Sequence, residues 1–128
     1  MSTTSLTCVA LLGALLFGLG LAVSLTRAKT SCLIGHPAGR EDFLHKLVRA
    51  HGNTAEYVPL LAVLMLALGS RPAVGWVDGV IVGTTVARFA IVVGLLAFRD
   101  LGKPNPVRFL GALGTYLGGM ALSWALVA

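Results

Sequence analysis

The chain has 128 residues, of which 56% are hydrophobic and only 12% charged, with a formal net charge of +5. Soluble domains carry about 25% charged residues, so this composition, with a mean hydropathy of +0.87, excludes an ordinary water-soluble domain and points to a bilayer. One domain is expected at this length. The positive charge is gathered in loops between apolar stretches, which is not the footprint of a nucleic-acid binder.

A spanning helix needs roughly 20 mostly apolar residues, and four such stretches fit. Helix one is expected at about 6–29, since residues 1–26 carry no charge. Its opening "MSTTSL" has no Lys or Arg, so it lacks the positive start of a signal peptide, and a retained helix is expected. Cys8 lies near one end of this helix and Cys32 in the loop beyond the other. A rise of about 1.5 Å per residue separates them by most of a membrane, which rules against a disulfide within one chain. The loop "TSCLIGHPAGRED" has Gly and Pro punctuation and no apolar periodicity.

Helix two is expected at about 42–69, with Asp42 as its N-cap. Helix three is expected at about 72–98, with Pro72 in its first turn and only Asp78 and Arg88 as charges. The turn cluster "RDLGKPNP" ends it, and helix four follows at about 106–128. Within helix four, "GTYLG" is a small-xxx-small pattern that suits close helix contact. The fold class implied is all-α, an integral membrane four-helix bundle of up-down-up-down order.

Loop charges set an expected orientation. Arg27, Lys29, Arg40, Lys46 and Arg49 flank the first loop, and Arg99, Lys103 and Arg108 the third. The second holds only Arg71, with Asp78 nearby. The positive-inside rule places loops one and three in the cytoplasm and both termini outside.

The stretch "RAHGNTAEYVP", residues 49–59, is too polar for a plain span. On a helix, Arg49, Asn53 and Glu56 stand at i, i+4 and i+7 and share one face, His45 extends the stripe, and His51 points away. Glu56 falls about four turns into the helix. An unpartnered carboxylate there costs at least ~2.5 kcal/mol. Arg88, at matching depth on helix three, is the expected partner. Pro59 is expected to kink the helix beside the stripe. A structural ion pair accounts for Glu56 and Arg88 alone. Arg49 and Asn53 extend the line of donors towards a pocket for a small polar anion that also bears an amine, with Arg49 suited to a two-pronged carboxylate contact.

Four apolar helices with Arg49, Asn53, Glu56 and Pro59 in this spacing resemble the MAPEG family, membrane-associated proteins in eicosanoid and glutathione metabolism. The likeness covers essentially the whole chain and is nearest to small bacterial inner-membrane members. It implies homotrimers with glutathione bound between subunits near the cytoplasmic side, and no metal. By this resemblance Arg49, Asn53 and Glu56 are glutathione contacts. Arg88, in "ARFAIVVG", and Arg108, in "PVR", match the family's arginines on helices three and four. Arg27 matches an arginine proposed to activate the thiol in leukotriene-forming members, so Arg27 and Arg108 are the catalytic candidates. The sequence also departs from the pattern. Ile91 and Leu95 stand where eicosanoid-forming members have tyrosines. Phe109 and Ala112 stand where prostaglandin-forming members have Ser and Tyr. Tyr116 lies one turn deeper, where a packing role is expected.

The function implied is glutathione transferase or peroxidase chemistry on lipophilic electrophiles or hydroperoxides arriving through the bilayer. An arginine beside the sulfur would lower a thiol pKa from its ordinary value of ~8.5. One rival is a non-catalytic protein that binds glutathione or a lipid headgroup through the same stripe. Another is a proton-coupled exporter using Glu56, against which stand the absence of an acid in helix one and an aromatic content of only 7%.

Overall fold

The computed structural model describes residues 1–72 and 74–128. Four helices form, and no strand occurs among the described residues: α1 is Thr3–Thr30, α2 Phe43–Gly69, α3 Gly75–Leu96 and α4 Pro106–Ala125. Contacts at the helix ends fix the expected antiparallel order. Ser2, before α1, donates its N–H to Gly69 O at the end of α2 at 2.7 Å. Trp76 at the start of α3 meets Trp124 at the end of α4.

By length and composition, α1, α2 and α3 are each apolar enough to cross a membrane. The fourth expected span is not among them. Helix α4 has 20 residues, and Gly111, Gly114, Gly118 and Gly119 dilute its apolar content. Those glycines serve packing instead. A Cβ at Gly111 would lie 2.8 Å from Ala87 O and Ile91 N, and one at Gly114 2.9 Å from Ala87 Cβ. A Cβ at Gly118 would collide with Thr84 Oγ1. The "GTYLG" pattern thus presses α4 against α3. Among the described residues α1 touches α2 and α3 but not α4, so α1 and α4 lie on opposite sides of the central pair.

Two helix starts follow from local chemistry. Asp42 caps α2 as expected, its Oδ1 accepting from His45 N at 3.0 Å. Asn105 caps α4, its Oδ1 accepting from Val107 N at 2.9 Å and Arg108 N at 3.2 Å, with Pro106 in the first turn. The same buried amide donates Nδ2–H to Gly94 O at 2.7 Å, which ties α4 to α3. Helix α3 begins later than expected. Val74 is its extended N-cap, at φ −109° and ψ 111°, so Pro72 lies before the first turn rather than in it. Helix α3 also ends at Leu96, earlier than expected, because residues 97–105 turn back around Asp100, whose Oδ1 accepts from Gly102 N at 2.7 Å.

The core has two apolar halves. Leu12, Met65, Ile81 and Leu122 anchor one, and Leu19, Leu47, Ala50 and Ile91 the other. A polar layer separates them, with buried Thr54, Thr84, Thr85, Thr115 and Arg88. Each threonine hydroxyl donates to the carbonyl four residues earlier, at 2.7–2.9 Å, so each satisfies itself within its own helix. Only Arg88 needs a partner from elsewhere.

Candidate functional site: an arginine pocket between α2, α3 and α4

A cavity of about 440 Å³ opens beside the polar layer, at the end of the bundle where α2 and α4 begin. Arg49, Asn53 and Tyr57 line it from α2 at i, i+4 and i+8, one above the other on a helical face. Arg88, Ile91 and Leu95 line it from α3, and Arg108, Ala112 and Tyr116 from α4. Of the sequence-expected residues, Arg49, Asn53, Arg88 and Arg108 are thus brought together. His51 faces the other way, its Nε2 lying 3.1 Å from where a Cβ on Gly20 of α1 would sit.

Arg88 is fully buried. Its Nη2 donates to Asn53 Oδ1 at 2.8 Å and to Asn53 O at 3.0 Å. Its Cζ lies 5.2 Å from the centre of the Tyr57 ring, within cation–π range. Its Nε and Nη1 are buried with no hydrogen-bond partner. A buried charge left without an anionic partner is costly.

The expected Glu56–Arg88 pair does not form. The one ion pair among the described residues joins Arg99 and Glu41 at 3.5 Å, on the surface. The reason is angular. Glu56 is three residues beyond Asn53, about 300° around the helix, which turns it roughly 60° off the Asn53 direction. It is exposed and lines an adjacent groove of about 640 Å³ between α2 and α4, with Leu60, Leu64, Gly119 and Met120. Equal depth did not imply equal direction.

Loop segments complete the pocket. Leu101 N donates to Arg40 O at 3.4 Å, which joins the first loop to the third. The Arg40 guanidinium packs against Gly102, where a side chain would collide with it. His45 lines the pocket and stacks on His36 with ring centres 3.9 Å apart. Arg108 is held by its Nη1 donating to Leu101 O at 3.0 Å. Four guanidiniums, those of Arg40, Arg49, Arg88 and Arg108, line one cavity that has no carboxylate in its wall. Such a site favours an anion, and planar two-pronged donors suit carboxylates.

Sequence reasoning missed Arg40, because a loop residue has no periodic signal, and it took Tyr116 for a packing residue. Tyr116 is half-exposed and lines both the arginine pocket and the Glu56 groove, its ring 5.8 Å from that of Tyr57. Ile91, Leu95 and Ala112 do line the pocket, so the departures noted in the sequence remove hydroxyls from the site itself. Phe109 is exposed and is not part of its wall. Arg27 lies elsewhere in the same chain. Its Nη1 donates to Leu33 O at 2.6 Å, and it shares a separate groove with His51 and Gly20. No cluster of three or more potential metal ligands occurs among the described residues.

A family model described as MAPEG family matches residues 5–128. No curated protein and no solved structure matches the chain.

Proposed function

The chain belongs to the MAPEG family, and on that premise we propose that the arginine pocket binds glutathione and supports transferase or peroxidase chemistry on lipophilic electrophiles or hydroperoxides. It is a membrane protein of a family in glutathione and eicosanoid metabolism. The observation that carries the finer reading is Arg88, a buried guanidinium with two unpartnered nitrogens in a cavity without a carboxylate.

The donor set fits the ligand. Glutathione carries two carboxylates, an ammonium, two amides and a thiol. Arg49 and Arg40 at the pocket rim suit its carboxylates, and the free N–H groups of Arg88 suit a third acceptor. Asn53 holds Arg88 with its oxygen and offers its amide N–H₂ to a peptide carbonyl. Glu56, next to Tyr57 on the neighbouring groove, suits the ammonium. Glutathione supplies a thiol whose ionised form is the nucleophile or reductant. The task of this chain is to stabilise that anion, and Arg108 does so from the start of α4. The apolar groove beside Glu56 admits the lipophilic partner from the bilayer.

A homotrimer supports both loose ends. Glu56 is exposed at membrane depth in one chain, which is costly unless a neighbour covers it. Arg27, remote from the pocket of its own chain, then serves as the second thiol-activating residue across a subunit boundary. The orientation proposed has the pocket end in the cytoplasm and the termini outside, in a bacterial inner membrane. An active C-terminal alkaline phosphatase fusion and a dark green fluorescent fusion support it, and the reverse pattern refutes it.

A second reading is favoured by one observation. Ile91, Leu95 and Ala112 give the pocket wall no hydroxyl at the positions of the family's tyrosines, so the site binds glutathione without activating it. Ultraviolet thiolate absorbance on adding glutathione separates the two. The catalytic reading predicts an absorbance rise that Arg108→Ala diminishes. Binding without any rise supports the second reading.

A further inference from the structure

The arginine pocket leaves Arg71, Asp78 and both tryptophans of the chain unexplained. They come together at the other end of the bundle, around a cavity of about 460 Å³ where α2 ends and α3 begins. Trp76 and Trp124 form one wall, with ring centres 6.0 Å apart and planes tilted by 37°. Arg71 and Asp78 both line the cavity, yet they form no ion pair within 4.0 Å of each other. Asp78 is held in place instead by Ser2, whose Oγ donates to Asp78 Oδ1 at 3.2 Å. Deeper in, the wall is apolar, with Leu68 and Ile81.

Two opposite charges that face one cavity without neutralising each other are matched by a ligand that carries both signs. An indole face attracts an ammonium within about 6 Å, which adds to the pull of Asp78 on the cationic part. A guanidinium is the side chain best matched to phosphate. The cavity sits at the ends of spanning helices, where the polar headgroups of a bilayer lie and where tryptophan is enriched. Its polar mouth over an apolar interior has the amphipathic order of a lipid. We propose that this cavity binds the headgroup of a zwitterionic phospholipid bearing a primary amine, with the phosphate on Arg71 and the ammonium on Asp78 beside the two indoles. The inference is independent of glutathione binding at the opposite end.

The chain's two tryptophans both line this cavity, so tryptophan emission reports on this end of the bundle. The full-length protein in detergent is titrated with short-chain phosphatidylethanolamine, with short-chain phosphatidylglycerol, which has the phosphate but no amine, and with soluble phosphoethanolamine. A saturable emission change is expected with phosphatidylethanolamine, at a midpoint at least about tenfold below that of either other ligand. Asp78→Asn should bring the two lipids to similar midpoints, and Arg71→Gln should weaken both. Helix content and oligomer size serve as folding controls, and the comparison of lipids on the unaltered protein decides the matter even if a variant fails them. Equal midpoints for the two lipids, no saturable change, or a preference that survives in folded Asp78→Asn overturns the proposal and leaves the tryptophans as interfacial anchors. Phosphoethanolamine binding as tightly as the lipid also overturns it, in favour of a soluble phosphoamine.

Discussion

Two cavities of nearly equal size occupy opposite ends of the bundle, about 440 Å³ where α2 begins and about 460 Å³ where α2 ends. The first gathers four guanidiniums and no carboxylate, and the second balances one arginine against one aspartate beside two indoles. They differ also in how charge is held. Arg88 is sunk between two apolar halves of the core and left partly unsatisfied, whereas Asp78 is half-buried on the first turn of α3 and held by Ser2. Similar volume therefore says little about ligand class. What separates the two is the sign of the wall and whether its buried charge is fully partnered.

The sharpest way to break this contrast is to remove the unsatisfied charge. Arg88→Met keeps similar bulk and length. Glutathione affinity is expected to fall about 100-fold or more, roughly 2.7 kcal/mol. Thermal stability without ligand is expected to stay level or rise, because exchanging buried charge for packed apolar surface is often neutral or favourable. The two effects move apart, which a purely structural arginine does not allow. Calorimetric titration and helix melting in detergent, on the same preparation, check them together.

The helix pairs that frame the cavities differ as well. At Gly111 any Cβ meets α3 backbone at 2.8 Å, whereas at Gly13 of α1 nothing lies within 4 Å. Gly111→Ala should destabilise by about 1–3 kcal/mol through overpacking. Gly13→Ala should be neutral, or stabilising by up to about 1 kcal/mol, since only helix propensity changes. Equal melting shifts for the two would show that α4 does not depend on its glycines to reach α3.

A smaller effect is expected at the start of α2. Asp42→Ala removes the acceptor for His45 N and should cost about 1 kcal/mol in helix melting. No measurable shift would mean that the arginine pocket end is held by its loop contacts rather than by the cap.

What the sequence showed and what it hid divide along a physical line. Asp42 and Pro106 were legible as helix starts because capping depends on a few adjacent residues. Arg49 and Asn53 were legible as one face because i and i+4 superpose on any helix. Arg88 was correctly placed at the depth of the stripe, since helix rise is constant. Its partner was not, because depth fixes height along a helix and not the direction around it. Asn53 took the guanidinium and Glu56 turned outward. Arg40 was illegible as a pocket residue, since the contact between the first and third loops that positions it has no local signal. The glycines of α4 were visible as a pattern, but only the structure shows that they lie against α3. The start of α3 was misjudged because a proline is compatible with a first turn but does not compel one.

The central claim, that the pocket of four arginines is a glutathione site, is tested most directly by isothermal titration of the purified protein with glutathione, alongside Arg49→Ala, Asn53→Ala and His51→Ala. Saturable binding to the unaltered protein is expected. Arg49→Ala should lose at least tenfold in affinity, from one charge-assisted contact worth roughly 1.5–3 kcal/mol. Asn53→Ala should lose a similar factor, because it removes an amide contact to the ligand and also releases Arg88. His51→Ala, which faces α1, should change binding little. No saturable heat with the unaltered protein, or full affinity in folded Arg49→Ala and Asn53→Ala, would contradict the claim.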